Sequence, residues 1–179
     1  MLRSLVVVAG ILTSALPALA LDLPARTPGL WEMEITPDLA GLNVPPPPPQ
    51  TARLCIDATV DQLFWRRDLG GEMVDHNLCR GNIGSRNGTF TADFSCTLPQ
   101  MSMTMQMVIS GDFKSAYTME LTSTFQGEGA ASAAAGRIHA TMAYKYIGPC
   151  EADQRPGDFI RHDGTKMHLF GDPKSPDRP

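Results

Sequence analysis

The stretch Arg86–Ser110 reads RNGTFTADFSCTLPQMSMTMQMVIS, with apolar and polar residues alternating on either side of two turn signals. Phe90, Ala92, Phe94, Cys96 and Leu98 fall on one side of its first arm, opposite Thr89, Thr91, Asp93, Ser95 and Thr97. Met101, Met103, Met105 and Met107 form one side of the second arm. Successive side chains of a strand point to opposite faces, so a period of two marks a half-buried strand. Asn87 and Gly88 both tolerate positive φ and predict a type I′ hairpin turn, and Pro99-Gln100 predicts a second reversal.

The same alternation extends outward. In AYTMELTSTF, Tyr117, Met119, Leu121 and Phe125 oppose Thr118, Glu120, Thr122 and Thr124. In RIHATMAYKYI, Ile138, Ala140, Met142, Tyr144 and Tyr146 oppose Arg137, His139, Thr141 and Lys145, and LWEMEIT near the N-terminus places Trp31, Met33 and Ile35 inward. One helix is expected over Thr59–Trp65: Asp57 can cap it, and Val60, Leu63 and Phe64 recur at helical spacing. The expected fold is mainly β, a single curved antiparallel sheet of about six to eight strands, half-open or closed into a barrel, with that short helix covering part of its apolar face. Pro45–Pro49 reads as a rigid polyproline II connector, Gly127–Gly136 as a flexible link, and the tail from Gly171 as disordered.

The chain opens MLRSLVVVAGILTSALPALA, in which one basic residue precedes an apolar run that ends Ala18-Leu19-Ala20. This is the pattern of a secretory signal peptide, residues 1–20, cleaved after Ala20. The run is shorter than the ~20 residues that span a bilayer and is broken by Pro17. Leu21 stands where a lipoprotein would carry Cys, so export to the periplasm as a soluble protein is expected. Removing residues 1–20 takes away Arg3 and no acidic group, so the net charge of −4 becomes one unit more negative. No basic stripe remains for nucleic acid. Residues 21–150 suit one β-rich domain, with 151–179 as a C-terminal extension.

Four cysteines in an oxidising compartment read as two disulfides, with three connectivities open. No CxxC or CxxH spacing supports zinc. The Asn87-Gly88 turn decides between the connectivities: counting out from Arg86 and Thr89 places Cys79 opposite Cys96 in a non-hydrogen-bonded pair, where Cα atoms lie ~4.5 Å apart. That separation suits a disulfide. Cys55 and Cys150 then form the second bond. The same counting about Pro99-Gln100 sets Met105 opposite Phe94 and Met103 opposite Cys96.

PGLWEME (Pro28–Glu34), a Cys before a short helix, SGDFKSAYTMELT (Ser110–Thr122) and YIGPC (Tyr146–Cys150) together resemble the uncharacterised bacterial envelope proteins grouped as domain of unknown function 3617. The resemblance runs from about Pro28 to Cys150. It implies an exported β-rich domain with paired cysteines and carries no assigned activity. The proline run and the extension beyond Cys150 depart from it.

Catalysis finds little support. His76, His139, His162 and His168 are scattered, and no HExxH, G-x-S-x-G or phosphate-binding loop occurs. Asp158, His162 and Asp163 could orient a base but read as a solvated loop. No cofactor is implied. The expected function is a non-enzymatic envelope binding module. Its ligand face would comprise Phe94, Met101, Met103, Met105, Met107, Met119, Met142 and Tyr144, holding an apolar small molecule or an envelope protein. The alternative is Cu(I) held by Met103 and Met105. Met101 to Met107 span ~20 Å along a strand, too far for four sulfurs to share one ion. His139 falls on the polar face, away from them. A structural envelope protein without ligand is the third reading.

Overall fold

The computed structural model describes residues 24–39, 45–68, 78–127 and 136–170. The expected signal peptide, most of the Gly127–Gly136 link, His76 and the tail from Gly171 lie outside the described residues. The elements run β1 (Gly29–Asp38), β2 (Gln50–Ile56), α1 (Ala58–Asp68), β3 (Cys79–Arg86), β4 (Thr89–Leu98), β5 (Met101–Gly111), β6 (Ala116–Gly127), β7 (Gly136–Gly148), β8 (Asp158–Arg161) and β9 (Lys166–His168). They form one sheet in the order β3-β4-β5-β6-β7-β1-β2-β8-β9. Every pairing is antiparallel. The sheet is not closed, and among the described residues β3 and β9 are its edge strands.

Turn chemistry sets the register. Asn87 at φ 52° and Gly88 at φ 78° make the left-handed pair of a type I′ turn. Arg86 pairs with Thr89, and Cys79 with Cys96, without a bulge at Gly81 or Gly84. Both expected disulfides are present, Cys79–Cys96 and Cys55–Cys150. Gln100 at φ 66° closes the β4–β5 reversal, which sets Phe94 opposite Met105 and Cys96 opposite Met103. Pro45–Pro49 carries no helix or strand and leads into β2.

Nine strands exceed the expected number because two lie beyond Cys150. Phe159 and Ile160 of β8 are half-buried against β2, although this segment reads as charged loop. Asp158 is buried and anchors the return to β9: His168 Nδ1 lies 3.0 Å from its Oδ1, and the Arg155 backbone N–H donates to its Oδ2 at 3.1 Å. The Leu169 N–H donates to the Gly157 carbonyl at 3.0 Å beside them.

The core occupies one end of the sheet's inner face. Asp57 accepts the Val60 backbone N–H at 2.8 Å and so caps α1, which directs Val60, Phe64 and Trp65 inward. They meet a plug supplied by the β5–β6 turn. There the Asp112 carboxylate accepts backbone N–H bonds from Lys114, Ser115 and Ala116 and a hydroxyl bond from Ser115. These bonds hold its pKa far below the usual carboxylate range. They also stabilise a turn in which Phe113 takes φ 56°, a rare conformation for a bulky residue. The ring is thereby buried, stacked on Tyr117 and set edge-on to Trp65 and Phe90. Tyr117 stacks in turn on Tyr144, with centroids 4.2 Å apart.

A buried charge sits inside this aromatic cluster. Arg26, only 2 % exposed, forms an ion pair with Asp61 of α1 and donates from Nη1 to the Tyr117 hydroxyl at 2.8 Å. Its guanidinium carbon lies 4.4 Å from the Phe64 ring centre and 4.8 Å from that of Trp65. Burial opposes the charge, but Tyr117 and Asp61 outweigh it and raise the pKa above the ordinary arginine value.

Removing one member of such a pair strands the other in a low-dielectric site. Asp61→Ala is therefore expected to cost about 3–5 kcal/mol, a fall in Tm of roughly 10 °C by thermal denaturation. The double change Arg26→Met with Asp61→Leu recovers most of that loss, and an equal loss in the double variant would overturn the charge argument. The Asp158 site carries a pH dependence. Burial opposes its charge, but the Arg155 N–H, the His168 ring and the Arg155 charge together lower the Asp158 pKa. A lowered folded-state value stabilises the fold above the ordinary carboxylate pKa near ~3.9, and the contribution is lost as pH falls through the folded value. Hydrogen exchange at the Leu169 amide, corrected for intrinsic rate, should therefore hold its protection down to about pH 5 and lose it progressively from there to about pH 2, and Asp158→Asn should flatten that dependence. Unchanged protection in the parent across that range would refute it.

Candidate functional site

The inner face is a grid of cross-strand rows. The row Phe90–Ile109–Met119–Met142–Ile35 crosses β4, β5, β6, β7 and β1, and the row Phe94–Met105–Ser123–Ile138 lies two steps below it. Below that comes Cys96–Met103–Phe125–Gly136, then Leu98–Met101–Gly127. The aromatic plug, α1 and Trp31 cover the upper rows. Towards the Pro99-Gln100 turn the cover thins.

This gradient divides the eight residues of the expected ligand face. Phe94, Met107, Met119 and Tyr144 are buried and belong to the core cluster. Met101, Met103, Met105 and Met142 are half-buried, as are Leu121, Phe125 and Ile138 beside them. Met101 to Met105 measures ~14 Å along the strand, and β4 to β7 measures ~14 Å across. The open half thus offers an apolar patch of small-molecule size, rich in flexible thioethers that adapt to irregular shapes.

Two methionines lie nearer to each other than any neighbours on β5. Met119 and Met142 are direct cross-strand partners, at a Cα separation of ~4.5–5.5 Å against ~7 Å for i and i+2 on one strand. Numbering along one strand hides this pair, because it depends on the β6–β7 register. Met119 is 2 % exposed, and the Tyr144 hydroxyl points to the Met142 sulfur at 3.9 Å, so both serve the core. His139 stands on the outer face, its Nδ1 3.1 Å from the Thr122 hydroxyl. Among the described residues no group of three His, Cys, Asp or Glu side chains converges as a metal site. Asp158 pairs with His168 rather than His162, and Asp163 accepts the Thr165 backbone N–H at 2.9 Å, closing its own turn.

The short motifs gather at the covered end. Gly29 at φ 139° lets β1 pass against β7, where an added Cβ would lie 2.4 Å from the Gly148 carbonyl oxygen. The Trp31 indole N–H donates to the Thr27 carbonyl at 2.9 Å, and Tyr146 meets Trp31 edge-on. Gly111 at φ 146° leaves no room for a Cβ beside the Tyr117 backbone. PGLWEME, SGDFKSAYTMELT and YIGPC are thus the parts of one plug.

A family model described as a protein of unknown function, DUF3617, matches residues 26–150. No curated protein and no solved structure matches the chain.

Proposed function

The chain belongs to the DUF3617 family, and we propose that this member is an exported, non-enzymatic binding module that holds an apolar ligand on the open half of its inner face. One observation carries the reading: the apolar alternation continues past the aromatic plug to Met101, Met103, Met105, Phe125 and Ile138, where the side chains remain half-exposed. A sheet that needed only to fold could place polar residues there. Two disulfides fit an oxidising compartment. Among the described residues no helix is long and apolar enough to cross a membrane. An apolar segment of an envelope protein is the second class of occupant.

The soft-metal alternative uses Met103 and Met105 of the same patch, and one pair of variants separates it. Met103→Leu with Met105→Leu conserves apolar volume and removes both thioethers. Under the proposal this variant binds a fluorescent apolar amine such as N-phenyl-1-naphthylamine within about twofold of the parent, whereas Met103→Glu with Phe125→Glu weakens binding at least roughly tenfold. Thr104→Glu on the outer face leaves it unchanged. Native mass spectrometry and lipid extraction of the purified protein should recover a bound apolar species. A ligand-free protein whose probe binding ignores the glutamates would sink the reading, and Cu(I) affinity lost in the leucine variant would favour the metal.

A further inference from the structure

The outer face, which the apolar reading does not use, carries a second feature. Across β3 to β7 it dips into a hollow of about 670 Å³, within the size range of small-ligand sites. One cross-strand row runs along it: Arg80, Ser95, Thr104, Thr124 and Arg137 are successive partners on β3, β4, β5, β6 and β7. Four inter-strand steps make that row ~19 Å long at the backbone. Hydroxyls occupy its middle and a guanidinium stands at each end. Both arginines are exposed, and neither is ion-paired with a described residue. In the neighbouring row Asp93 faces Gln106, whose amide Nε2 donates to the Asp93 carboxylate at 3.0 Å.

We propose that this hollow binds a short linear oligosaccharide carrying acidic groups towards its two ends and neutral, hydroxyl-bearing units between them. The charge pattern selects that chemistry. Each guanidinium offers a planar fork to a carboxylate, and the span between the arginines requires the two carboxylates to lie several residues apart. Ser95, Thr104 and Thr124 donate to and accept from sugar hydroxyls. Asp93, held by Gln106, accepts further hydroxyls and repels charge at the centre of the ligand. A uniformly charged polymer therefore fits less well, and the net charge of −4 disfavours nucleic acid again. The polar row lies on the face opposite the methionine side chains; Phe94 and Met105 border the hollow as well, so the arginine variants, which leave both in place, separate this site from the apolar ligand.

Isothermal titration of the purified protein with a synthetic linear pentasaccharide that carries a glucuronic acid at each end and neutral N-acetylglucosamine units between them tests the assignment at ~25 mM and ~150 mM salt. Saturable binding is expected at the lower salt, with Arg80→Ala and Arg137→Ala each weakening it about tenfold. The variants Arg80→Lys and Arg137→Lys keep part of the affinity. Lys145→Ala, on the same face but outside the hollow, changes it by less than about twofold. A neutral chitin hexasaccharide and a fully charged galacturonate hexasaccharide bind at least roughly tenfold more weakly. Since both arginines are exposed, thermal denaturation should report unchanged folding in these variants. No saturable binding of the end-charged pentasaccharide, equal loss in Lys145→Ala, or equally tight, arginine-dependent binding of a single-stranded oligonucleotide would each overturn the proposal.

Discussion

A single helix can cover this sheet only because a charge is buried under it. Arg26 arrives immediately before β1, reaches across the inner face to Asp61 in the first turn of α1, and bonds Tyr117 of β6 on the way. Three segments far apart in sequence are thereby fixed at one point. The aromatic rings of Phe64, Trp65 and Tyr117 surround the guanidinium and replace part of its lost hydration through their π faces. Apolar burial alone would press α1 onto the sheet without choosing where. The directional bonds of Arg26 choose a position, and the Asp112 turn that supplies Phe113 fills the remaining gap.

This arrangement makes the molecule asymmetric along its strands. At one end the inner face is sealed by aromatics, tight glycine contacts and a disulfide from β2 to Cys150 just beyond β7. At the other it is apolar, shallow and lined by side chains with many rotamers. Rigidity and adaptability are thus separated by about half the length of a strand. The residues that carry the family resemblance serve the first half. The half-exposed apolar side chains lie in the second half, where the motifs are silent.

Local chemistry made most of the sheet legible. Asn87-Gly88 and Pro99-Gln100 determine the registers of β3–β4 and β4–β5 because two-residue turns leave no slack, and Cys79 opposite Cys96 followed from counting. Asp57 before an apolar helical pattern marked α1. The hidden parts depend on long-range partners. A lone arginine before a strand gives no hint that it is buried, since its partners lie 35 and 91 positions away. Phe113 looks like a turn residue until its positive φ shows where the ring goes. The short β8 and β9 form because β2 presents an unpaired edge, a property of the assembled sheet and not of GDFIRHDG. Alternation likewise identified an apolar face without telling which of its residues the plug covers, so Met107 and Met119 read the same as Met101 and Met103.

The bond between Cys79 and Cys96 has a consequence for how this protein coexists with its own copies. An open sheet ends in rows of unsatisfied backbone donors and acceptors that can recruit any strand of matching length. Here the outermost strand on one side is β3, short, bearing Arg80 and Arg86 and weakened by Gly81 and Gly84. Left to its hydrogen bonds, it would fray and bare the longer, more apolar β4 beside it. The disulfide bolts the poor edge in place over the good one. In an oxidising compartment the cross-link therefore works as a guard against strand exchange and fibre growth, a service to the population of molecules as much as to the stability of one.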